Sequence, residues 1–494
     1  MAESSLQIAP VFGEHMVLQH GMPLKIWGSG PEGQAVTLKI QDQQITTIIK
    51  DGYWEVTLSP LYLSSPTTLT IYTTNESISL KDILIGDVYL ASGQSNMAMP
   101  LRDTQDGTSL LEGPFSSNIR ICDMVARHYK EGTCYLGGND EMGWEIKSTD
   151  LIWKIPSKES IKNFSAIAYH FAMEIHETQN IPVGIINCSW GGKSISCWIR
   201  EAYFMKDPEL KAFYKEFKKN LSAVDMLQYT KDFTEYVLNA QRFIHGETDI
   251  WPLEPFGPLC SETPGRLYES MLSRLIPFTF KGVIWYQGES DELRANLYEK
   301  LFTALIHNWR DDFQNPTLPF FFVQLPSYNT TASEDPCLWA YLREAQAKVA
   351  NTLPFTYMAV TLDLGEKDNI HPTHKKPVAH RLALLARHAI YKEELLVQCP
   401  ILKAATLEGK ILKLFFLHTG DGLQINGNSL QGLQIKDTLG QIKYCQAIVR
   451  ENQLLIDCPN IYEITEIRYG YASYSEANLV GSSGLPVTPF KLTI

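Results

Sequence analysis

A series of apolar runs, each ending in a polar or glycine-rich tail, constrains this chain more than any other feature. The runs are Val88-Tyr89-Leu90, Pro182-Val183-Gly184-Ile185-Ile186, Gly282-Val283-Ile284-Trp285-Tyr286, Phe320-Phe321-Phe322-Val323-Gln324-Leu325 and Tyr357-Met358-Ala359-Val360-Thr361. Each is the length of a strand buried on both faces. Helical stretches such as Phe164 to Thr178 separate them and supply the covering layers. The expected fold class is therefore α/β, a doubly wound parallel sheet.

On either side the pattern changes. From residue 1 to about 82, apolar and polar positions alternate over short runs such as Val36-Thr37-Leu38-Lys39-Ile40 and Leu69-Thr70-Ile71-Tyr72. Gly30-Pro31-Glu32-Gly33 and Asp51-Gly52 punctuate them as turns, so 1–82 is read as a β-sandwich-like N-terminal domain. Short strands return over 396–494 between Gly409, Gly420, Gly422, Gly427 and Gly432, a β-rich C-terminal region. The α/β domain is placed at 83–395, with the charged, helix-patterned stretch 206–247 as an insertion. A chain of 494 residues is too long for one core, which agrees with several domains.

Ligands of a doubly wound sheet lie beyond the carboxyl ends of its strands. The polar residues here fall at those ends. Gly93 permits a sharp reversal that presents the Ser95 hydroxyl after the first run. Asn187-Cys188-Ser189-Trp190-Gly191-Gly192-Lys193-Ser194 follows the second, and Tyr286-Gln287-Gly288-Glu289-Ser290-Asp291 the third. Asp368-Asn369-Ile370-His371 comes after the last. Alone, such a serine more often caps a helix and such a glycine pair more often marks a turn. Their recurrence at strand ends favours one site. A serine hydroxyl needs a base, and His371 titrates near neutral pH. Asp368, three residues earlier, is placed to orient it. The Ser95 N–H, the Gly192 N–H and the Gln287 side-chain amide are candidate donors to an oxyanion.

Other chemistries fit less well. A metal reading of His371, His374 and His380 with Asp368 lacks the H-E-x-x-H spacing. Glu289 and Asp291 as a glycosidase acid pair would leave the serine, histidine and aspartate unexplained. A net charge of −12 and the absence of a Lys/Arg run argue against nucleic acid, and no apolar stretch is long enough to span a bilayer. Nine scattered cysteines without a C-x-x-C pair suit buried thiols, with room for one or two bridges. Met1-Ala2-Glu3-Ser4-Ser5 lacks the regions of a signal peptide. The expected location is outside the cell or in the periplasm if a leader was removed, and the cytoplasm otherwise.

No G-x-S-x-G occurs, so the α/β-hydrolase elbow is not the template. The blocks Gly93-Gln94-Ser95-Asn96-Met97, Ser189-Trp190-Gly191-Gly192 with Trp198, Trp285-Tyr286-Gln287-Gly288-Glu289-Ser290 and Asp368-Asn369-Ile370-His371-Pro372 resemble those of the SGNH hydrolases. Within that group the chain is most similar to the sialate O-acetylesterase family of carbohydrate esterases. Arg343-Glu344-Ala345-Gln346, Arg468-Tyr469-Gly470-Tyr471 and Ala477-Asn478-Leu479 extend the resemblance. It implies an SGNH-hydrolase-like sheet and a serine esterase that removes O-acetyl groups from sialic acid through an acyl-enzyme, with no metal or organic cofactor. Ser95 would be the nucleophile, His371 the general base and acid, and Asp368 its orienter. Gly192 and Gln287 would complete the oxyanion hole with Ser95, glutamine standing where the superfamily name expects asparagine.

An O-acetylated sugar is the implied partner. Gln94, Asn96, Trp190, Gly191, Lys193, Trp198, Tyr286 and Glu289 are candidate substrate contacts. Trp190, Trp198, Trp285 and Tyr286 either stack on a sugar ring or belong to the core. Lys193, Arg102 and Arg294 are candidate partners for a sialate carboxylate. Two departures bear on substrate preference. Relatives usually read Leu-Tyr-Asn-Gly-Met where this chain has Leu267-Tyr268-Glu269-Ser270-Met271, and threonine after the glycine pair where it has Lys193. An esterase acting on acetyl xylan or another glycan would share every catalytic residue. A non-catalytic carbohydrate-binding protein is disfavoured because nucleophile, base and carboxylate are all present.

Overall fold

The structure, a computed structural model, describes residues 5–124, 151–248, 250, 252–258, 260–332, 334–444, 447–457 and 464–493. They divide into two compact units, Met1–Ile284 with Thr303–Pro319, and Trp285–Phe302 with Phe320–Ile494.

The first unit opens with short strands: β1 (Gln7–Ile8), β2 (Val17–Gln19), β3 (Leu24–Ser29), β4 (Ala35–Ile40), β5 (Gln43–Ile48), β6 (Tyr53–Leu58) and β7 (Thr67–Tyr72). β3 lies antiparallel between β1 and β6, and β4 antiparallel between β5 and β7. Alternate residues of β4 and β6 are buried, the outcome that their period-two pattern predicts.

The next strand, β8 (Ser77–Gly93), changes character midway. Its first residues alternate in exposure, whereas every residue from Ile83 to Gly93 is buried. The pairing explains the change. The start of β8 runs antiparallel to β7, and its later part runs parallel to β2 and to β11 (Val183–Ser189). One strand thus carries the chain from the N-terminal strands into an α/β sheet, passing through residue 82 without a linker. β9 (Ile119–Asp123) lies parallel on the far side of β11, and β10 (Trp153–Lys154) pairs antiparallel with β9. The sheet is therefore mixed rather than wholly parallel. β10 is a two-residue edge strand with a single neighbour, which tolerates either direction. Helix Ala166–Gln179, capped by the Ser165 side chain, packs on β11. Within 206–247 stand two helices, Pro208–Ser222 and Met226–Ile244, each begun by an aspartate cap, Asp207 and Asp225.

In β12 (Gly282–Tyr286) the chain passes from the first unit into the second. There β13 (Phe320–Val323) and β14 (Thr356–Ala359) pair in parallel, and all four residues of β13 are buried. Helices Leu338–Thr352 and Lys376–Ala389 pack on β14. Antiparallel strands follow from Ile401 onward, closed over a core that includes Leu412, Leu414, Leu454, Ile456 and Ile467.

Among the described residues no helix is long and apolar enough to cross a membrane. Cys122, Cys188, Cys197, Cys260, Cys337 and Cys399 are free thiols, while Cys134, Cys445 and Cys458 lie outside the described residues. Burial pushes the thiols of Cys260 and Cys399 up to about 11, which leaves them poor nucleophiles.

Candidate active site

Ser95 opens the short helix Ser95–Ala98 immediately after β8. Gly93 makes the turn at φ +136°, a region that side-chain-bearing residues rarely adopt. The N–H groups of Met97 and Ala98 both donate to the Gln94 carbonyl at 2.9 Å. Ser165 Oγ donates to the Met97 carbonyl at 2.6 Å, tying the turn to the capped helix behind it. Ser95 itself is partly exposed on this braced turn. Gln94 and Asn96, expected at the substrate, are buried.

β11 ends beside β8, with Ser189 opposite Gly93, and Trp190 N–H extends the pairing to the Gly93 carbonyl at 3.0 Å. That places the backbone of Gly191 against Ser95. Gly192 is exposed at φ +68° with open space where a side chain would be. Beneath the loop, Ser189 Oγ donates to Asn187 Oδ1 at 2.7 Å, and Asn187 Nδ2 donates to Asp123 Oδ1 at 3.1 Å. Sequence reasoning did not assign this support a role.

The cations proposed for a sialate carboxylate have acceptors of their own. Lys193 Nζ stands 3.2 Å from Glu254 and 3.7 Å from Glu262. Burial works against its charge, but the two carboxylates outweigh it and raise its pKa. Arg102 bonds Asn163 and pairs with Asp103, and Arg294 meets Asp291 and the Ser290 carbonyl. The aromatic candidates are corrected more sharply. Trp198 is 0% exposed and meets Trp309 edge-on at 6.5 Å, and Tyr286 is 1% exposed. Side chains so enclosed belong to the core and offer no face to a sugar ring. Trp285 likewise stacks on Phe302, and Trp190 is mostly buried.

In the second unit, Gln287 is fully buried. Its Nε2 donates to Asp291 Oδ2 at 2.7 Å, and its Oε1 accepts from the Tyr298 hydroxyl at 2.9 Å. Gln346, from the Arg343-Glu344-Ala345-Gln346 block, donates to the Gln287 carbonyl at 3.2 Å. Arg343 in the same block is buried among the carbonyls of Pro326, Gly470, Ala472 and Ser473, which ties it to the Arg468-Tyr469-Gly470-Tyr471 block through Gly470.

His371 lies on an exposed loop ordered by side-chain to backbone bonds. Asn369 Oδ1 accepts from the His371 N–H at 3.0 Å, and Asn369 Nδ2 donates to the His371 carbonyl and to Glu366, both at 3.0 Å. The Thr373 N–H, then the Asn369 side chain, hold the Glu366 carboxyl below the usual range. Desolvation and then the positive Lys375 lower the His371 pKa. Lys375 is 1% exposed, 5.4 Å from the Tyr286 ring centre, and burial pulls its ammonium down to about 7 against the opposing charges of Glu289 and Glu366. Asp368 is exposed, and among the described residues no hydrogen bond joins its carboxylate to the His371 ring. Lys375 and Glu366 left no signal in the sequence beyond their nearness to His371.

The first unit thus presents a serine hydroxyl beside a glycine loop. The second holds a buried amide bonded to Asp291 and Tyr298, and an exposed histidine whose pKa is lowered. Residues 85–254 and 243–387 match the family described as "Carbohydrate esterase, sialic acid-specific acetylesterase". That is more than half the chain, and the chain belongs to this family. It is 29% identical over 442 residues to the sialate O-acetylesterase of Rattus norvegicus, covering 81% of this chain and 77% of the rat protein. With the Homo sapiens sialate O-acetylesterase it shares 28% identity over 448 residues, 83% and 74% of the two chains. Among solved structures, a carbohydrate acetylesterase from Xanthomonas citri superposes with a TM-score of 0.80 at 27% identity, covering 99% of each chain.

Proposed function

We propose that this chain hydrolyses O-acetyl esters of sialic acid through an acetyl-serine intermediate on an SGNH-type site. The observation that carries the reading is the braced turn presenting Ser95 against Gly191, inside the residues that match the esterase family. The rat and human relatives, named sialate O-acetylesterases, supply the substrate class.

In this reading the Ser95 hydroxyl attacks the acetyl carbonyl while His371 takes its proton. The N–H groups of Ser95 and Gly192 and the Gln287 amide receive the oxyanion, each such donor lowering the barrier by about 3–4 kcal/mol. Collapse expels the sugar hydroxyl, protonated by His371, and leaves acetyl-Ser95. Water, deprotonated by His371, then releases acetate. Asp368 supports the imidazolium through its charge, three residues away.

The test compares acetate release from O-acetylated sialic acid and from acetylated xylan under the same conditions. A chromogenic acetate ester should give a burst in the intact chain and none in Ser95→Ala. Retained turnover in Ser95→Ala removes the serine mechanism, and preference for xylan moves the substrate to plant glycans.

A further inference from the structure

Lys193 follows Gly192 directly, and its mostly enclosed side chain reaches Glu254, 61 residues downstream in the same unit. Glu254 is held at both oxygens. Its Oε1 accepts from the Ser261 N–H at 3.0 Å, and its Oε2 accepts from Lys193 Nζ at 3.2 Å and from the Ser261 hydroxyl. Glu262 is a looser second acceptor, 3.7 Å from the same ammonium. A charge-assisted bond to a carboxylate fixed in this way sets where the lysine ends, and so restrains the backbone it hangs from. The stretch that carries Glu254 is itself seated on the two helices of 206–247. Phe256 meets Phe217 of helix Pro208–Ser222 edge-on, with ring centres 5.4 Å apart. Gly257 lies so close to Tyr229 of helix Met226–Ile244 that a β-carbon there would overlap the ring, and Tyr229 is itself buried. Contacts thus run from both helices through Phe256 and Gly257 to Glu254, and from there through Lys193 to the glycine loop against Ser95.

We propose that the Lys193–Glu254 pair is a positioning strut for acyl transfer, through which the helices of 206–247 hold the glycine loop against Ser95. The inference rests on the reading of Ser95 as nucleophile and of the Gly192 N–H as an oxyanion donor. A donor displaced by about 1 Å loses much of its effect, so slack in the strut shows in the chemical step rather than in binding. A lysine acting on the oxyanion by its own charge would behave differently. Removing the Glu254 charge would then leave the ammonium unneutralised and speed the reaction, whereas cutting a strut slows it.

With a chromogenic acetate ester, and below the melting temperature of each variant, Lys193→Met and Glu254→Gln should each lower kcat at least about fivefold while KM stays within about threefold. The double variant should be no slower than the slower single one, because both changes cut the same link. Gly257→Ala pushes the stretch off Tyr229 without touching Lys193. It should lower kcat in the otherwise intact chain and cost nothing further in Lys193→Met. The inference is overturned by an unchanged or raised kcat in Glu254→Gln, by multiplied losses in the double variant, or by a Gly257→Ala effect that is undiminished in Lys193→Met, each with Ser95→Ala inactive. Turnover retained in Ser95→Ala overturns the serine reading itself.

Discussion

Gly191 stands directly against Ser95: a β-carbon built on the glycine would lie 3.5 Å from the Ser95 β-carbon and 3.8 Å from its α-carbon. The first is an ordinary van der Waals distance, so one methyl fits. A branched side chain would carry its γ-atoms onward over the hydroxyl. Gly191→Ala should therefore keep its melting temperature and retain activity, whereas Gly191→Val should slow labelling of Ser95 by a serine-directed phosphonate at least about tenfold through steric exclusion. Gly192 differs, because its φ of +68° rather than space is the constraint. Gly192→Ala should cost about 1–2 kcal/mol of stability from backbone strain alone, read from denaturant midpoints. Fast labelling of Gly191→Val would show that the loop does not lie over the serine.

Asp368→Asn is expected to be a mild variant. A buried carboxylate bonded to its histidine is worth about 10⁴ in kcat in a serine protease triad. Asp368 is exposed and makes no such bond among the described residues, so in the proposed mechanism its charge would reach the imidazole only through solvent. Loss of this charge should lower kcat by less than about tenfold, and the loss should shrink in high salt. Asn369→Ala, which removes the bonds holding the His371 backbone, should cost more. A thousandfold loss in Asp368→Asn would mean that the side chain moves onto the imidazole during turnover.

Part of this architecture was legible because it depends on local pattern. Uniform apolarity marked β11, β12 and β13, and alternation marked β4 and β7, since burial on two faces or one leaves different periods in a sequence. The hydroxyl of Ser95 was legible because a strand, a glycine and a serine in succession make a turn. The mixed edge at β10 was not, for two residues carry no period. Nor was the burial of Trp198 and Tyr286, which depends on what packs over an aromatic ring rather than on its neighbours in sequence. Asp291 was visible as a carboxylate but not as the partner of Gln287, because a four-residue separation says nothing of side-chain direction within a 3₁₀ turn.

Lys193 tests what substrate charge means to this site. The side chain is 13% exposed and held by Glu254 and Glu262, and Glu254 also accepts from the Ser261 N–H at 3.0 Å. A lysine already shared by two carboxylates has little to offer a third. Lys193→Met should therefore change KM for an anionic sialate ester and for a neutral acetate ester by the same factor, within about threefold. It should also cost about 1–3 kcal/mol of stability by leaving Glu254 half-buried without its cation. A KM rise confined to the anionic ester, tenfold or more, would make Lys193 the carboxylate partner after all.

Lys375 ties pH to both stability and rate. Burial brings its pKa down from 10.5 to about 7 in the folded chain. Between those two values the unfolded chain binds more protons than the folded one, so this group makes stability rise with pH, and below about 7 it contributes no slope. The difference in unfolding free energy between wild type and Lys375→Met should accordingly be flat below that point and climb above it. The same charge bears on His371, whose pKa lies below the ordinary 6.5 through desolvation first and Lys375 second. In the proposed mechanism His371 must be neutral to act as base, so the acid limb of kcat/KM should fall below pH 6.5, and Lys375→Met should move it upward. Because desolvation persists in the variant, the limb should stop short of the ordinary histidine value. An acid limb that ignores residue 375 would show that another group governs the rate.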